Sequence, residues 1–307
     1  MKALSRRAML KGSLLAPAVA AAASGMSPVE AAMQAAGEAS GPLPANDPDA
    51  TQGPSAVNAF RERLLLDYGW RFHLGHASDA AKDFGLGTGR TGNFQKTGMF
   101  LAASSLGFDD SDWKPIDLPH DWAIELPFTN DPALESKGFY PLGRNYTATS
   151  IGWYRRVFEM TAADKGKRIS LEFDGAYRET MVILNGFYIG RHTGGYDPFR
   201  FDVSDFVNYG GRNVLLVRVD ATESDGWFYE GAGIYRHVWL VKTSPVHVKQ
   251  WGTFVGAEVK AGTAALSIRT EVSNEGHTAT EVRVVSTILD PVGRPAGKAV
   301  TTSSAIP

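Results

Sequence analysis

The chain contains no cysteine. Disulfides and thiolate metal sites are thereby excluded, and the fold has to hold by packing and hydrogen bonding. An excess of basic charge is also missing, with 31 Lys and Arg against 33 Asp and Glu, a formal net charge of −2. Without a basic footprint there is no electrostatic basis for gripping nucleic acid, so that class of partner is not expected. Nor is there an apolar run long enough to cross a bilayer, which takes about 20 residues. The nearest candidate, residues 12–23, is broken by Pro17. A membrane partner is therefore not expected either. Finally, residues 24–58 carry no aromatic side chain and are rich in Ala, Gly, Pro, Ser and Asp. Such a segment buries too little apolar surface to offset its ordering entropy and reads as a disordered linker.

What is present begins at the N-terminus. Arg6 and Arg7, in Ser5-Arg6-Arg7-Ala8-Met9-Leu10-Lys11, stand just ahead of the weakly apolar run. Paired arginines before a short apolar stretch resemble a twin-arginine export signal over residues 1–23. Ala21-Ala22-Ala23 offers a small-residue cleavage site, with Ala31-Ala32 as an alternative. A disordered basic tail is the competing reading. The signal makes the expected location periplasmic or secreted.

From Phe60 onward aromatics recur every few residues, and short apolar runs alternate with Gly, Pro, Asn and Asp turns. That rhythm predicts an all-β sandwich over 59–245. The clearest predicted strands are 152–158, 168–173, 180–184, 213–220 and 235–241. Asn185-Gly186 separates two apolar runs and predicts a type I′ hairpin, whose central residues both need positive φ. A short helix is predicted over 203–208, capped by Asp202 or Ser204. A second β region runs over 246–307, with strands at 250–255, 264–272, 281–289 and 298–302 and a hairpin turn at 272–276. An immunoglobulin-like sandwich needs about seven strands and ~100 residues. With roughly 60 residues here, a truncated domain is expected.

A series of motifs then carries a family likeness. Asp67-Tyr68-Gly69-Trp70-Arg71-Phe72, Trp113, Asp117-Leu118-Pro119-His120-Asp121-Trp122 and Gly152-Trp153-Tyr154-Arg155 occur in order. Phe173-Asp174-Gly175-Ala176, Asn185-Gly186, His192-Thr193-Gly194-Gly195-Tyr196 and Pro198-Phe199 follow, and Gly231-Ala232-Gly233-Ile234-Tyr235-Arg236 and Val238-Trp239-Leu240 close the run. Together they resemble the N-terminal sugar-binding jelly roll of family 2 glycoside hydrolases, in its β-galactosidase branch. The resemblance implies a carbohydrate ligand, then an immunoglobulin-like domain and a (β/α)₈ barrel that holds the chemistry. This sequence contains no such barrel, so an N-terminal fragment without glycosidase activity of its own is expected. Retaining glycosidases need two carboxyl groups about 5–5.5 Å apart, and the family draws them from barrel strand ends. No catalytic residue is therefore expected in the chain. Asn274-Glu275 has the look of the family's acid/base site but lies in the predicted 272–276 turn, and a solvated turn residue is the better reading. Two rivals remain, a free-standing carbohydrate-binding protein and an adaptor without sugar affinity.

The segment between Asp220 and Arg236 packs acidic and aromatic residues into a Gly-containing loop, which suits a sugar: rings cover pyranose C–H faces and carboxylates accept its hydroxyls. In the resembling enzymes this loop helps close the glycone subsite. Asp225 falls where some β-galactosidases place a carboxylate on substrate hydroxyls and a monovalent cation, or else it fixes the loop by a hydrogen bond. A cation in the full enzyme stays open; no cofactor is expected for the chain itself. Trp227 and Tyr229 either contact the sugar or pack against a neighbouring domain, and Glu230 is a further ligand candidate. Arg236 reads as structural, pairing a buried carboxylate such as Asp174 or Asp220. Ala221 stands where many relatives have Asn, so any ligand contact of that Asn is lost. His73 and His76 lack a third ligand at zinc-like spacing, so no metal site is expected. His120 reads as a satisfied structural histidine. Asn145-Tyr146-Thr147 fits a glycosylation acceptor, discounted because a twin-arginine signal implies a bacterial-type exporter.

Overall fold

The computed structural model describes residues 61–86, 101–133, 138–224, 226 and 229–307. The expected signal with Arg6 and Arg7, the expected linker, and the candidates Asp225 and Trp227 lie outside the described residues. These fall into two compact units, 61–244 and 245–307. No helix among them is long and apolar enough to cross a membrane.

The first unit is a jelly-roll sandwich of two antiparallel sheets, with strands numbered in chain order and a separate short ladder of β4 (Phe128–Thr129) with β5 (Gly138–Phe139). One sheet runs β1 (Arg61–Leu65), β12 (Val238–Thr243), β7 (Arg168–Phe173), β10 (Phe199–Asp202). The other runs β3 (Lys114–Ile116), β2 (Trp70–Leu74), β6 (Ile151–Met160), β11 (Gly211–Asp220), β8 (Glu179–Leu184), β9 (Phe187–His192). Its spine is the β6–β11 ladder, paired from Ile151↔Asp220 to Met160↔Gly211. Strand period sorts the side chains of β6 between two faces. Tyr154, Phe158 and Met160 join Leu171, Phe173, Leu215, Val217 and Leu240 in the core between the sheets. Ile151 and Trp153 face the other way, into a second core with Leu101, Trp113, Ile183 and Leu216. At β6 the six-stranded sheet is thus buried on both faces, which explains why Ile151, Trp153, Tyr154, Phe158 and Met160 are apolar or aromatic whichever way they point.

The hairpin between β8 and β9 turns at Asn185 (φ 52°) and Gly186 (φ 84°), the two positive angles a type I′ turn needs. The Asn185 side chain fixes the turn further. Its amide nitrogen donates to Phe206 O and Asn213 Oδ1, and its oxygen accepts from Val214 N.

Three sequence expectations need correction. Residues 203–208 form one turn, not a helix: Asp202 Oδ1 accepts from Ser204 N at 2.9 Å and Phe206 N donates to Val203 O. Asn208 N then donates to Asn213 Oδ1 at 2.7 Å, so the backbone is drawn out of helical register. The strand predicted from 235 starts at Val238, because Tyr235 donates to Gly195 O and His237 Nδ1 lies 2.5 Å from Asp67 Oδ2. Third, 272–276 is not a hairpin turn. In the second unit β13 (Val246–Lys260) pairs β14 (Thr263–Asn274), and β15 (Thr280–Ser286) pairs β16 (Val300–Ile306). The segment after β14 therefore links two separate hairpins. Asn274 shapes it by donating to Thr278 O and accepting from Gly276 N.

Candidate functional site

At one end of the sandwich lies a cleft of about 510 Å³, within the rough 300–1,000 Å³ span of small-ligand sites. Three segments line it, 139–144, 221–224 and 229–231, together with Ala123 and Tyr177. Each is held for a local reason. Where β11 ends, Asp220 Oδ1 accepts from both Thr222 N (3.0 Å) and Thr222 Oγ1 (2.6 Å), an Asx-type turn that steers the chain off the sheet. Ala221 N donates to the carbonyl of buried Ser150, whose hydroxyl accepts from Gly143 N at 2.8 Å. One residue thus bolts two walls together.

The third wall depends on Asp121. Its Oδ1 accepts from Ala123 N and Ala232 N, and its Oδ2 accepts from the Tyr229 hydroxyl at 2.6 Å. Burial, and then the Asp121 carboxylate, push the Tyr229 phenol up, so it remains a donor at neutral pH. Gly231 is required at this point: its φ is +63°, and a Cβ there would come within 2.6 Å of Asp121 Oδ2. Glu230 accepts from Gly226 N at 2.6 Å. Across the cleft, Arg144 Nε and Nη2 donate to the two Glu223 oxygens, each at 2.7 Å. That hydrogen bonding from Arg144 holds the Glu223 carboxyl below its usual range. The result is a pocket with aromatic surface from Phe139, Tyr140, Tyr177 and Tyr229, and with carboxylate acceptors among them.

Residues 66–244 match the sugar-binding domain of glycosyl hydrolases family 2. The chain belongs to that family. A β-galactosidase of Bacteroides ovatus is 38% identical over 243 residues, which are 78% of this chain and 25% of that protein. A β-glucuronidase of Bacteroides fragilis is 33% identical over 217 residues, 66% of this chain and 25% of its own length. A solved family 2 structure from Bacteroides cellulosilyticus superposes with a TM-score of 0.62 at 29% identity, covering 80% of this chain and 29% of the other. The chain therefore spans about a quarter of the length of the relatives it matches.

Of the candidates named for this family 2 domain, Tyr229 and Glu230 line the cleft. The two carboxylates suggested for Arg236 have other partners. Asp174 is held by Arg63 (3.3 Å) and Trp239 Nε1 (2.9 Å), while Asp220 is held by Arg218 (3.2 Å), which also binds Asp83 (2.9 Å). Arg236 is exposed, on the stretch that precedes β12, with its Cδ lying over Gly175. His120 is buried between Tyr154 (2.8 Å to Nδ1) and Glu125 (3.2 Å to Nε2). Since a carboxylate only accepts, Nε2 donates to Glu125 and Nδ1 accepts the Tyr154 proton; burial lowers the histidine pKa and keeps it neutral. His76 Nδ1 accepts from Ser78 N and Asp79 N, as a turn residue does. No group of three metal-ligating side chains occurs among the described residues. Glu275 is exposed, in the second unit. Sequence reasoning missed Asp121, Arg144 and Glu223. An Asp just before a short turn is a readable cap, but Arg144 and Glu223 lie 79 residues apart and share no local signal.

Proposed function

We propose that residues 61–244 form a carbohydrate-binding wall of a β-glycosidase, and that the polypeptide they serve hydrolyses a terminal β-linked, galactoside-like sugar with retention of configuration. The observation that carries this reading is the cleft itself: tyrosine and phenylalanine rings beside carboxylate acceptors, inside the segment that matches a sugar-binding domain. The 38% identity to a β-galactosidase supports the galactoside-like class. The 245–307 unit is read as part of an immunoglobulin-like domain. The cleft acts as a wall, not as a catalytic centre. A glycosidase acid has to keep its proton near neutral pH, which takes a raised pKa. Glu223 moves the other way under Arg144, and Asp121 is committed to three donors. The acid and nucleophile are therefore assigned to carboxylates outside the described residues.

Saturation-transfer NMR of the 307-residue chain with methyl β-galactoside tests this. Binding is expected near the millimolar range, several-fold weaker in a Tyr229→Ala, Glu230→Gln variant, and nitrophenyl β-galactoside should not be turned over. Undiminished binding by that variant would remove the cleft from the reading, and turnover would place the chemistry within it. Export by the twin-arginine route belongs to the same proposal and rests on Arg6-Arg7. Replacing both with Lys should retain the product in the cytoplasm; unchanged export refutes that part.

A further inference from the structure

A separate pocket, of about 330 Å³, lies on the six-stranded sheet. Along β11, Arg212 in this pocket is about 27 Å from Asp220, where the cleft begins. Three arginines and one carboxylate line the pocket: Arg71 on β2, Arg155 on β6, Arg212 on β11, and Asp110. Arg155 is buried and committed. It donates to Asp110, to Ala103 O at 2.9 Å and to Ser105 O at 2.9 Å. Arg71 stands directly opposite Arg155 in the β2–β6 ladder, and like charges so placed destabilise a sheet unless something offsets them. Neither Arg71 nor Arg212 has an ion pair or a side-chain hydrogen bond among the described residues. The carboxylates around the pocket do not supply one. Asp109 accepts from Ser111 N at 3.0 Å, while Asp117 accepts from Gly69 N at 2.8 Å and acts on the Arg156 guanidinium. Glu159 stands opposite Arg212 in the β6–β11 ladder, exposed, and forms no ion pair among the described residues. The preceding stretch of sequence, 87–100, contains no Asp or Glu.

We propose that Arg71 and Arg212 bind a tetrahedral oxyanion, phosphate or sulfate, in this pocket. Two guanidinium groups without partners bring the two positive charges that a doubly charged oxyanion needs. Their planar forks present donors to its oxygens, one from β2 and one from β11. A bound anion also offsets the like charges of Arg71 and Arg155, which Asp110 does for Arg155 alone. The volume reaches the lower end of small-ligand sites, roughly 300 Å³. An organic group esterified to the anion therefore has room against Leu106, Phe108 and Val157. Sugar binding in the cleft plays no part in this inference.

Calorimetric titration of the 307-residue chain at low ionic strength tests it, with inorganic phosphate, inorganic sulfate and glycerol 3-phosphate as probes. Chloride at matched ionic strength and glycerol are the controls. Saturable binding in about the millimolar range or tighter is expected for the oxyanions and not for the controls, weakening as salt is added. Arg71→Gln and Arg212→Gln should each weaken it about fivefold or more, and the double variant should abolish it. Glu159→Gln removes the competing charge opposite Arg212 and should tighten binding roughly two- to threefold. Circular dichroism checks that the variants fold, and Arg71→Lys, which keeps the charge, should bind better than Arg71→Gln. Tighter binding of the ester than of free phosphate makes an ester the occupant, and equal binding makes it the free ion; either upholds the site. No saturable binding of any of the three probes, or binding unchanged in the double variant, overturns it.

Discussion

Asp164 shows how much one carboxylate can organise. It is buried after β6 and accepts from Lys167 (2.8 Å), Lys242 (2.9 Å) and Thr161 (2.8 Å). Burial alone would raise its pKa; those hydrogen bonds outweigh it and hold the group at about 2, against 3.8 for a free side chain. A depressed carboxyl stabilises the fold above its unfolded pKa, and that contribution drains away as pH falls from 3.8 towards about 2. Asp164→Asn should therefore cost roughly 2 kcal/mol at neutral pH. The gap between native and variant should close across the same acid window in urea titrations. A gap that persists at the acid end would show that packing, not ionisation, sets the effect.

At the scale of elements, β6 owes its place to a glycine. Gly152 lies flat under two rings: a Cβ there would come within 2.5 Å of Trp122 and 2.9 Å of Phe72. Those rings stack at 5.6 Å, and Trp122 also donates to Thr149 O, which helps close the cleft end. Gly152→Ala is expected to destabilise the first unit by about 1–3 kcal/mol through overpacking. Gly211, at the start of β11, has no neighbour nearer than 4.0 Å, so Gly211→Ala should stay within about 0.5 kcal/mol of the native chain. Urea midpoints for the two variants make the comparison, and equal midpoints would contradict the packing argument. The strand run of β6 was legible from its aromatics. The need for glycine within it was not, because Trp122 and Phe72 come from other elements.

Over the whole molecule, burial is uneven. The first unit buries seven rings to under 2% exposure within or against its strands: Trp70, Trp113, Trp122, Trp153, Tyr154, Phe173 and Tyr177. In the second unit Trp251, Phe254 and Val259 are 72%, 61% and 73% exposed, and only Val272, His247 and Ile306 are buried. Amide exchange should accordingly be slowest in β6 and β11, and at least about 100-fold faster in β15 and β16; comparable protection in the two units would refute this. By itself the sequence determined the all-β class, a sandwich, the Asn185-Gly186 turn and the aromatic-acidic character of the loop after Asp220, because each is written in neighbouring residues. It could not decide which arginine meets Asp174, where the strand after Tyr235 begins, or that Arg144 meets Glu223. Those are choices among partners far apart in the chain. Only the folded sheets, by bringing the end of β11 against the loop before β6 and the turn at Asp121, fix which charges and rings share one cleft.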